Sequence, residues 1–98
     1  MGRVSGKKTL ITGGAQGLGA AAARMLAREG AKVAVTDLNV EGAEAVASGI
    51  NTEHGDGTAF AFVHDVTSEE QWKDITQNAH DAMGGLNVLV NNAGDRKR

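Results

Sequence analysis

The sequence predicts an α/β fold with a doubly wound parallel sheet, truncated to about four strands in the order 3-2-1-4 with three helices. Short β-branched apolar runs alternate with helical patterns of about 10 to 15 residues. A glycine cluster joins the first run to the first helix. Such alternation is typical of parallel sheets with right-handed crossovers, and we expect residues 1–98 to form a single domain.

The boundaries of each element follow from local signals. Gly30 is expected to end the first helix, Asn39 to cap the second, and Gly84-Gly85 to end the third. The third helix should open on a capping box at Thr67-Ser68-Glu69-Glu70. The predicted strands cover residues 7–12, 32–36 (closing on Asp37), 58–64 and 86–90, and the first helix covers 17–29.

Each predicted helix has one apolar face that should pack on the sheet. Trp72 belongs to such a face, and we interpret it as a core residue rather than a ligand contact. The three faces comprise Leu18, Ala22, Met25 and Leu26; then Ala43, Val46, Ala47 and Ile50; then Trp72, Ile75, Ala79 and Met83.

The stretch from Thr12 to Gly19 has the geometry expected of a pyrophosphate-binding turn, because unpaired N–H groups at a helix start favour anions. Gly13 would permit the tight turn, Gly17 a close approach of backbone to phosphate, and Gly19 close packing of helix on strand. A P-loop is excluded because Ala20 stands where its lysine is required. The alternative is a glycine-rich connector without a ligand.

Asp37 follows the second predicted strand, where an acidic side chain can accept both hydroxyls of an adenosine ribose. A 2′-phosphate there would meet a like charge, and neither Gln16 nor Leu38 offsets it. These residues favour NAD over NADP. The alternative is that Asp37 serves only as a turn residue and helix cap. Asp65 and Val66, after the third strand, could border the adenine or form a simple turn.

Composition excludes several other classes of function. The net charge of −2 is scattered, which argues against nucleic acid and anionic membranes as partners. There is no cysteine, and the three histidines do not have the spacing of a helical zinc site, so no metal site is predicted. No apolar run approaches the length of a membrane span or of a signal peptide, and we expect a cytoplasmic protein.

Four ordered motifs together resemble the N-terminal half of a short-chain dehydrogenase/reductase with a Rossmann-like fold: Thr12–Gly19, Asp37, Asp65-Val66 and Asn-Asn-Ala-Gly at 91–94. The resemblance covers about residues 6–94. The motifs are similar to those of NAD-dependent alcohol and hydroxysteroid dehydrogenases. It implies oxidoreductase function with NAD as cofactor. It also implies that the cofactor is bound by Gly13, Gln16, Gly17, Leu18, Gly19, Asp37, Leu38, Asp65, Val66, Asn91, Ala93 and Gly94.

The chain departs from that family in one respect that concerns catalysis. The family uses Ser, Tyr and Lys, and this chain contains no tyrosine. We therefore predict no catalytic residue here and expect the 98-residue chain alone to be inactive, as the NAD-binding half of an enzyme. The alternatives are a non-catalytic dinucleotide-binding module and a non-functional truncated product. The fourth strand would form a sheet edge, so we expect the isolated chain to be marginally stable, to self-associate through that strand or to depend on a partner.

Overall fold

The computed structural model describes residues 6–15, 17–63 and 69–91. Within these residues, four strands and three helices alternate, as predicted. His64, the predicted end of the third strand, and Thr67-Ser68, the start of the predicted capping box, lie outside the described residues. The elements are β1 (Lys8–Thr12), α1 (Gly17–Arg28), β2 (Lys32–Asp37), α2 (Val40–His54), β3 (Ala59–Val63), α3 (Glu69–Met83) and β4 (Val88–Asn91).

The four strands form one parallel sheet in the order β3-β2-β1-β4, which confirms the predicted topology. In the register, Thr12 of β1 lies between Thr36 of β2 and Asn91 of β4. Asp37 at the end of β2 pairs with Val63 of β3. The carboxyl ends of all four strands therefore lie along one edge of the sheet.

Two hydrophobic clusters cover the two faces of the sheet. One is built from α1 and α2 against Ile11, Val33 and Val35, and the other from α3 against Leu10 and Ala34. Adjacent residues of β1 and β2 thus point into opposite clusters, and both strands are buried on both faces, as expected of inner parallel strands.

The predicted inward face of α1 is wrong for Leu18 and Met25, whereas Leu26 is partly buried against the cluster built from α1 and α2. Leu18 is 81% exposed and Met25 is 53% exposed. The buried side of the helix instead consists of small residues: Gly19, Ala20, Ala23 and Ala27. Small side chains allow the helix backbone to approach the sheet closely, so the helix turns its alanines rather than its largest apolar residues toward β1 and β2.

The faces of α2 and α3 are oriented as predicted. Ala43, Val46, Ala47 and Ile50 are buried on α2, and Ile75, Ala79 and Met83 are buried on α3 with Trp72 partly buried against them. Asn51 near the end of α2 fixes the start of β3. Its Oδ1 accepts hydrogen bonds from Thr58 and Ala59 N–H at 3.0 and 2.8 Å, and its Nδ2 donates to the Ala59 carbonyl at 3.0 Å.

The fourth strand begins at Val88, two residues later than predicted, and pairs only with β1 among the described strands. Asn87 precedes it and is joined to Lys8 by two hydrogen bonds, one from each backbone N–H. Leu89 is 50% exposed and Val88 is 36% exposed. Within the described ranges, no helix is both long and apolar enough to cross a membrane.

Candidate functional site

The turn after β1 begins with Gly13, which has a φ of 65°, and α1 starts at Gly17, which has a φ of 62°. These values lie in the left-handed region that glycine adopts without a steric penalty. The Gly14 N–H donates to the Thr36 carbonyl at 3.0 Å, which continues the β1–β2 pairing into the turn. The turn is therefore held against β2 before the chain enters the helix.

Gly14 has a packing role that the sequence interpretation missed. A Cβ added to Gly14 would lie 2.5 Å from Cγ1 of Val35. Real Cβ atoms essentially never make such a contact, so the turn can lie on β2 only without a side chain here. We assigned close packing to Gly19, which is indeed buried. The signal for Gly14 was its place as the second glycine of a pair directly after a strand.

Asp37 is joined to the turn through its carboxylate. Its Oδ2 accepts a hydrogen bond from the Ala15 N–H at 3.1 Å, and its Oδ1 accepts one from the Asn39 N–H at 3.0 Å. The second bond is the turn role that we considered as an alternative for this residue. The first bond is different, because it links the end of β2 to the glycine-rich turn 22 residues earlier. Asp37 therefore forms the local turn and also contacts the turn after β1.

The first turn of α2 packs against the same glycine-rich turn. Asn39 caps α2, as predicted, with its Oδ1 accepting the Gly42 N–H at 3.1 Å. A Cβ added to Gly42 would lie 2.9 Å from Cβ of Ala15 and 2.7 Å from Nδ2 of Asn39. The requirement for glycine at position 42 was also not predicted. It depends on how α2 packs on the turn, because that packing brings Ala15 close to Gly42.

The start of α1 is suited to an anion. Helix N-termini present unpaired N–H groups and about half a positive charge, and the first turn of α1 contains no acidic residue. A Cβ built on Gly17 meets no atom of the described residues within 4 Å, so none of them fills the space beside the helix start. Leu18 and Leu38 flank this region and are 81% and 68% exposed.

The sheet brings several predicted site residues to one edge. Gly13 follows β1, Asp37 ends β2, and Asn91 ends the neighbouring strand β4 in register with Thr12. Five other predicted residues lie outside the described part of the chain, and the side chain of Asn91 is likewise not described. These five are Gln16, Asp65, Val66, Ala93 and Gly94.

A separate groove of about 400 Å³ lies between α2 and β3. Its lining includes Glu44, Ser48 and Asn51 from α2 and Ala59 and Ala61 from β3, and no residue of the glycine-rich turn. It is distinct from the edge of the sheet where Asp37 and the turn meet. The groove is therefore not part of the candidate site.

The family model described as short chain dehydrogenase matches residues 7–98. An uncharacterized oxidoreductase, YuxG, of Bacillus subtilis (strain 168) is 50% identical over 90 residues, which are 92% of this chain and 13% of YuxG. This chain therefore spans a minor part of the length of that curated relative.

The chain is similar to solved structures that include a dehydrogenase and a reductase. The crystal structure of a hydroxysteroid dehydrogenase from Escherichia coli superposes with a TM-score of 0.88 at 38% identity, covering 94% of this chain and 38% of that one. The structure of 3-ketoacyl-(acyl-carrier-protein) reductase from Brucella melitensis, complexed with NADH, gives a TM-score of 0.80 at 35% identity. It covers 88% of this chain and 33% of the reductase.

Proposed function

This chain belongs to the short chain dehydrogenase family, and on that premise we propose that its glycine-rich turn, the start of α1 and Asp37 bind NAD. The observation that carries the proposal is the carboxylate of Asp37 lying in hydrogen-bond contact with the turn at Ala15. A phosphate-binding helix start and a ribose acceptor are thereby adjacent. This is the arrangement that the adenosine half of a dinucleotide requires.

The residues present fit the pyrophosphate. None of the described residues fills the space beside Gly17, and the N–H groups at a helix start are donors for phosphate oxygens. The absence of an acidic side chain in the first turn leaves the helix dipole unopposed at that point. In the proposal, Gly13, Gln16, Gly17, Leu18 and Gly19 form the phosphate-binding part of the site.

The residues also fit an unmodified ribose. An ionised carboxylate has about four lone-pair sites, and two of those on Asp37 accept N–H groups. Within the described part of the chain no other hydrogen bond to this carboxylate is found, so the other two sites are assigned to the 2′- and 3′-hydroxyls. A 2′-phosphate would instead meet the negative charge, and the neighbouring Leu38 supplies no cation, so we propose NAD rather than NADP as the ligand. Leu38, Asp65 and Val66 complete the adenosine side.

The fourth strand provides the other side of the site. Asn91 is in register with Thr12, and in the proposal Asn91, Ala93 and Gly94 approach the cofactor from β4. When bound, NAD supplies the hydride acceptor for an alcohol and, once reduced, the hydride donor for a ketone. The residues of this chain bind and orient the cofactor, and none of them is assigned a proton-transfer role.

A second candidate function is a non-catalytic dinucleotide-binding module. It is favoured by the contact between Asp37 and the glycine-rich turn, because dinucleotide binding needs these two parts and no proton-transfer group. To separate the two, the segment that relatives carry beyond this region is added in trans, and NADH absorbance is followed with secondary alcohols. Turnover supports the oxidoreductase, and a folded complex without turnover supports the module.

The proposed binding is tested by titrating NAD and NADP into the 98-residue chain and its Asp37→Asn variant. Asparagine keeps the shape but turns an N–H donor toward one of the two backbone donors and removes the charge. We expect NAD affinity to fall by about tenfold or more, consistent with the loss of a charge-assisted hydrogen bond of about 1.5–3 kcal/mol. The ratio of NAD affinity to NADP affinity should fall.

The matched control is Asp56→Asn, which removes the same charge from an exposed turn after α2. It should bind both dinucleotides like the unsubstituted chain. The proposal is wrong if the folded chain binds neither dinucleotide, or if the two asparagine variants behave alike.

A further inference from the structure

We propose that Gly42 is a positioning residue for Asp37. Because Gly42 has no side chain, α2 can pack closely against Ala15 and Asn39, whose N–H groups bind the Asp37 carboxylate. The inference rests on the proposed function, since its binding readout is dinucleotide affinity. Gly42 lies on α2 and has no predicted contact with the cofactor. Its effect is therefore expected through Ala15 and Asn39.

The geometry at Gly42 leaves no room for a methyl group. An added Cβ would lie 2.9 Å from Cβ of Ala15, and 2.7 and 3.1 Å from Nδ2 and Cγ of Asn39. The Asn39 side chain is held by its capping bond to the Gly42 N–H. Cβ of Ala15 is carried directly by the backbone of the turn, so it moves only if the turn moves.

The two residues that a methyl group would displace are the two that hold Asp37. The Ala15 N–H binds Oδ2 and the Asn39 N–H binds Oδ1. A shift in either one changes the orientation of the carboxylate toward a ribose. Gly42 thus determines how closely the start of α2, the glycine-rich turn and the end of β2 approach one another.

The same helix contains a matched control. Gly49 lies on α2, is exposed, and a Cβ built on it meets no atom within 4 Å. Glycine-to-alanine changes inside a helix normally stabilise it. If helix propensity alone mattered, G42A and G49A would behave alike, and neither would alter the preference between dinucleotides.

The experiment measures NAD and NADP affinities of the 98-residue chain and its G42A, G49A, A15G and A15G/G42A variants, with circular dichroism as a check on folding. We expect G42A to weaken NAD binding by about tenfold, corresponding to one hydrogen bond to a charged group. NADP binding should change less, so the ratio of the two affinities falls. G49A should leave both unchanged.

The A15G background tests the route of the effect. Removing the Ala15 methyl group relieves one contact, so G42A should cost less NAD affinity in A15G than in the unsubstituted chain. Equal NAD binding by G42A and G49A would overturn the proposal. Parallel losses for NAD and NADP without relief by A15G would also overturn it. If G42A is unfolded, a folded A15G/G42A variant supports the contact, and an unfolded one rejects it.

A failure of the proposed function is recognised separately. If the folded unsubstituted chain binds neither dinucleotide, the function is rejected. The positioning of Asp37 is then tested by the amide NMR resonances of Ala15 and Asn39. These should shift in G42A and stay in place in G49A, and unchanged resonances in G42A would reject the positioning role.

Discussion

Replacing Thr9 with valine should stabilise the fold. Thr9 lies in the middle of the sheet on β1, between Val33 and Val88, and its side chain is 1% exposed. Its Oγ1 is buried and has no hydrogen-bond partner within the described part of the chain. Valine has nearly the same shape and lacks the hydroxyl, so the change removes an unpaired polar group without opening a cavity.

The expected gain in stability follows from the burial of the Thr9 hydroxyl. Leaving a hydroxyl buried without a partner costs about 1–3 kcal/mol, and none of that cost applies to valine. We therefore expect the free energy of unfolding to rise by about 1–2 kcal/mol. For a chain of this size, with a urea dependence of about 1–1.5 kcal/mol per molar, the midpoint should rise by about 1 M.

Thr36→Val is the matched control. Thr36 is also fully buried, on the neighbouring strand, but its hydroxyl donates to the Ile11 carbonyl at 3.3 Å. The same chemical change there should lower the free energy of unfolding by about 1 kcal/mol, because it deletes a hydrogen bond. Urea unfolding followed by circular dichroism measures both variants. A destabilised Thr9→Val variant, or equal shifts for the two, would refute the reasoning.

Two further predictions concern packing and the sheet edge. Gly14→Ala should lower the free energy of unfolding by about 1–3 kcal/mol in a urea titration, because its Cβ would overlap Val35. Val35→Ala in the same chain should recover part of the loss, and additive effects would contradict the contact. Leu89→Lys should reduce self-association in sedimentation equilibrium, because a charged edge strand pairs poorly with another chain. Met25→Lys, on α1 with 53% exposure, is the control, and an equal effect would exclude the β4 edge as the cause.

The fold was largely predictable because its signals are local and ordered along the chain. The order 3-2-1-4 is predicted by strands that end at Thr12 and Asp37, a helix that begins after Asn39, and the alternation of strand and helix. Right-handed crossovers leave few other arrangements. The position of Asp37 beside the turn follows from the same topology, because neighbouring parallel strands end at one edge.

The orientation of α1 was not predictable by the same reasoning. Its buried side is rotated by about a third of a turn from the predicted face, at 100° per residue. Periodicity weights Leu18 and Met25 most heavily because they are large, whereas close packing on the sheet selects Ala20, Ala23 and Ala27. In α2 the large residue Ile50 is buried together with the alanines, so the face predicted from large apolar residues is also the buried face.

The roles of Gly14 and Gly42 depend on distances between elements that no sequence pattern encodes. Gly14 is required by Val35 on the next strand, and Gly42 by Ala15 on a turn that precedes it by 27 residues. A glycine count indicates tight turns but does not say which glycine lacks room for a methyl group. Only the assembled sheet and helix identify those two.

The bond from Lys8 N–H to Asn87 Oδ1 spans 79 residues, and this has a consequence for the order of folding. The β1–β2 pairing closes a much shorter loop, so its entropic cost is smaller and it is expected to form first. Asp37 and the turn at Ala15 can therefore meet before β4 docks. Slow hydrogen exchange at β2 and faster exchange at β4 would follow from that order. The proposed cofactor site would then form in two stages, with the proposed adenosine side preceding the side assigned to β4.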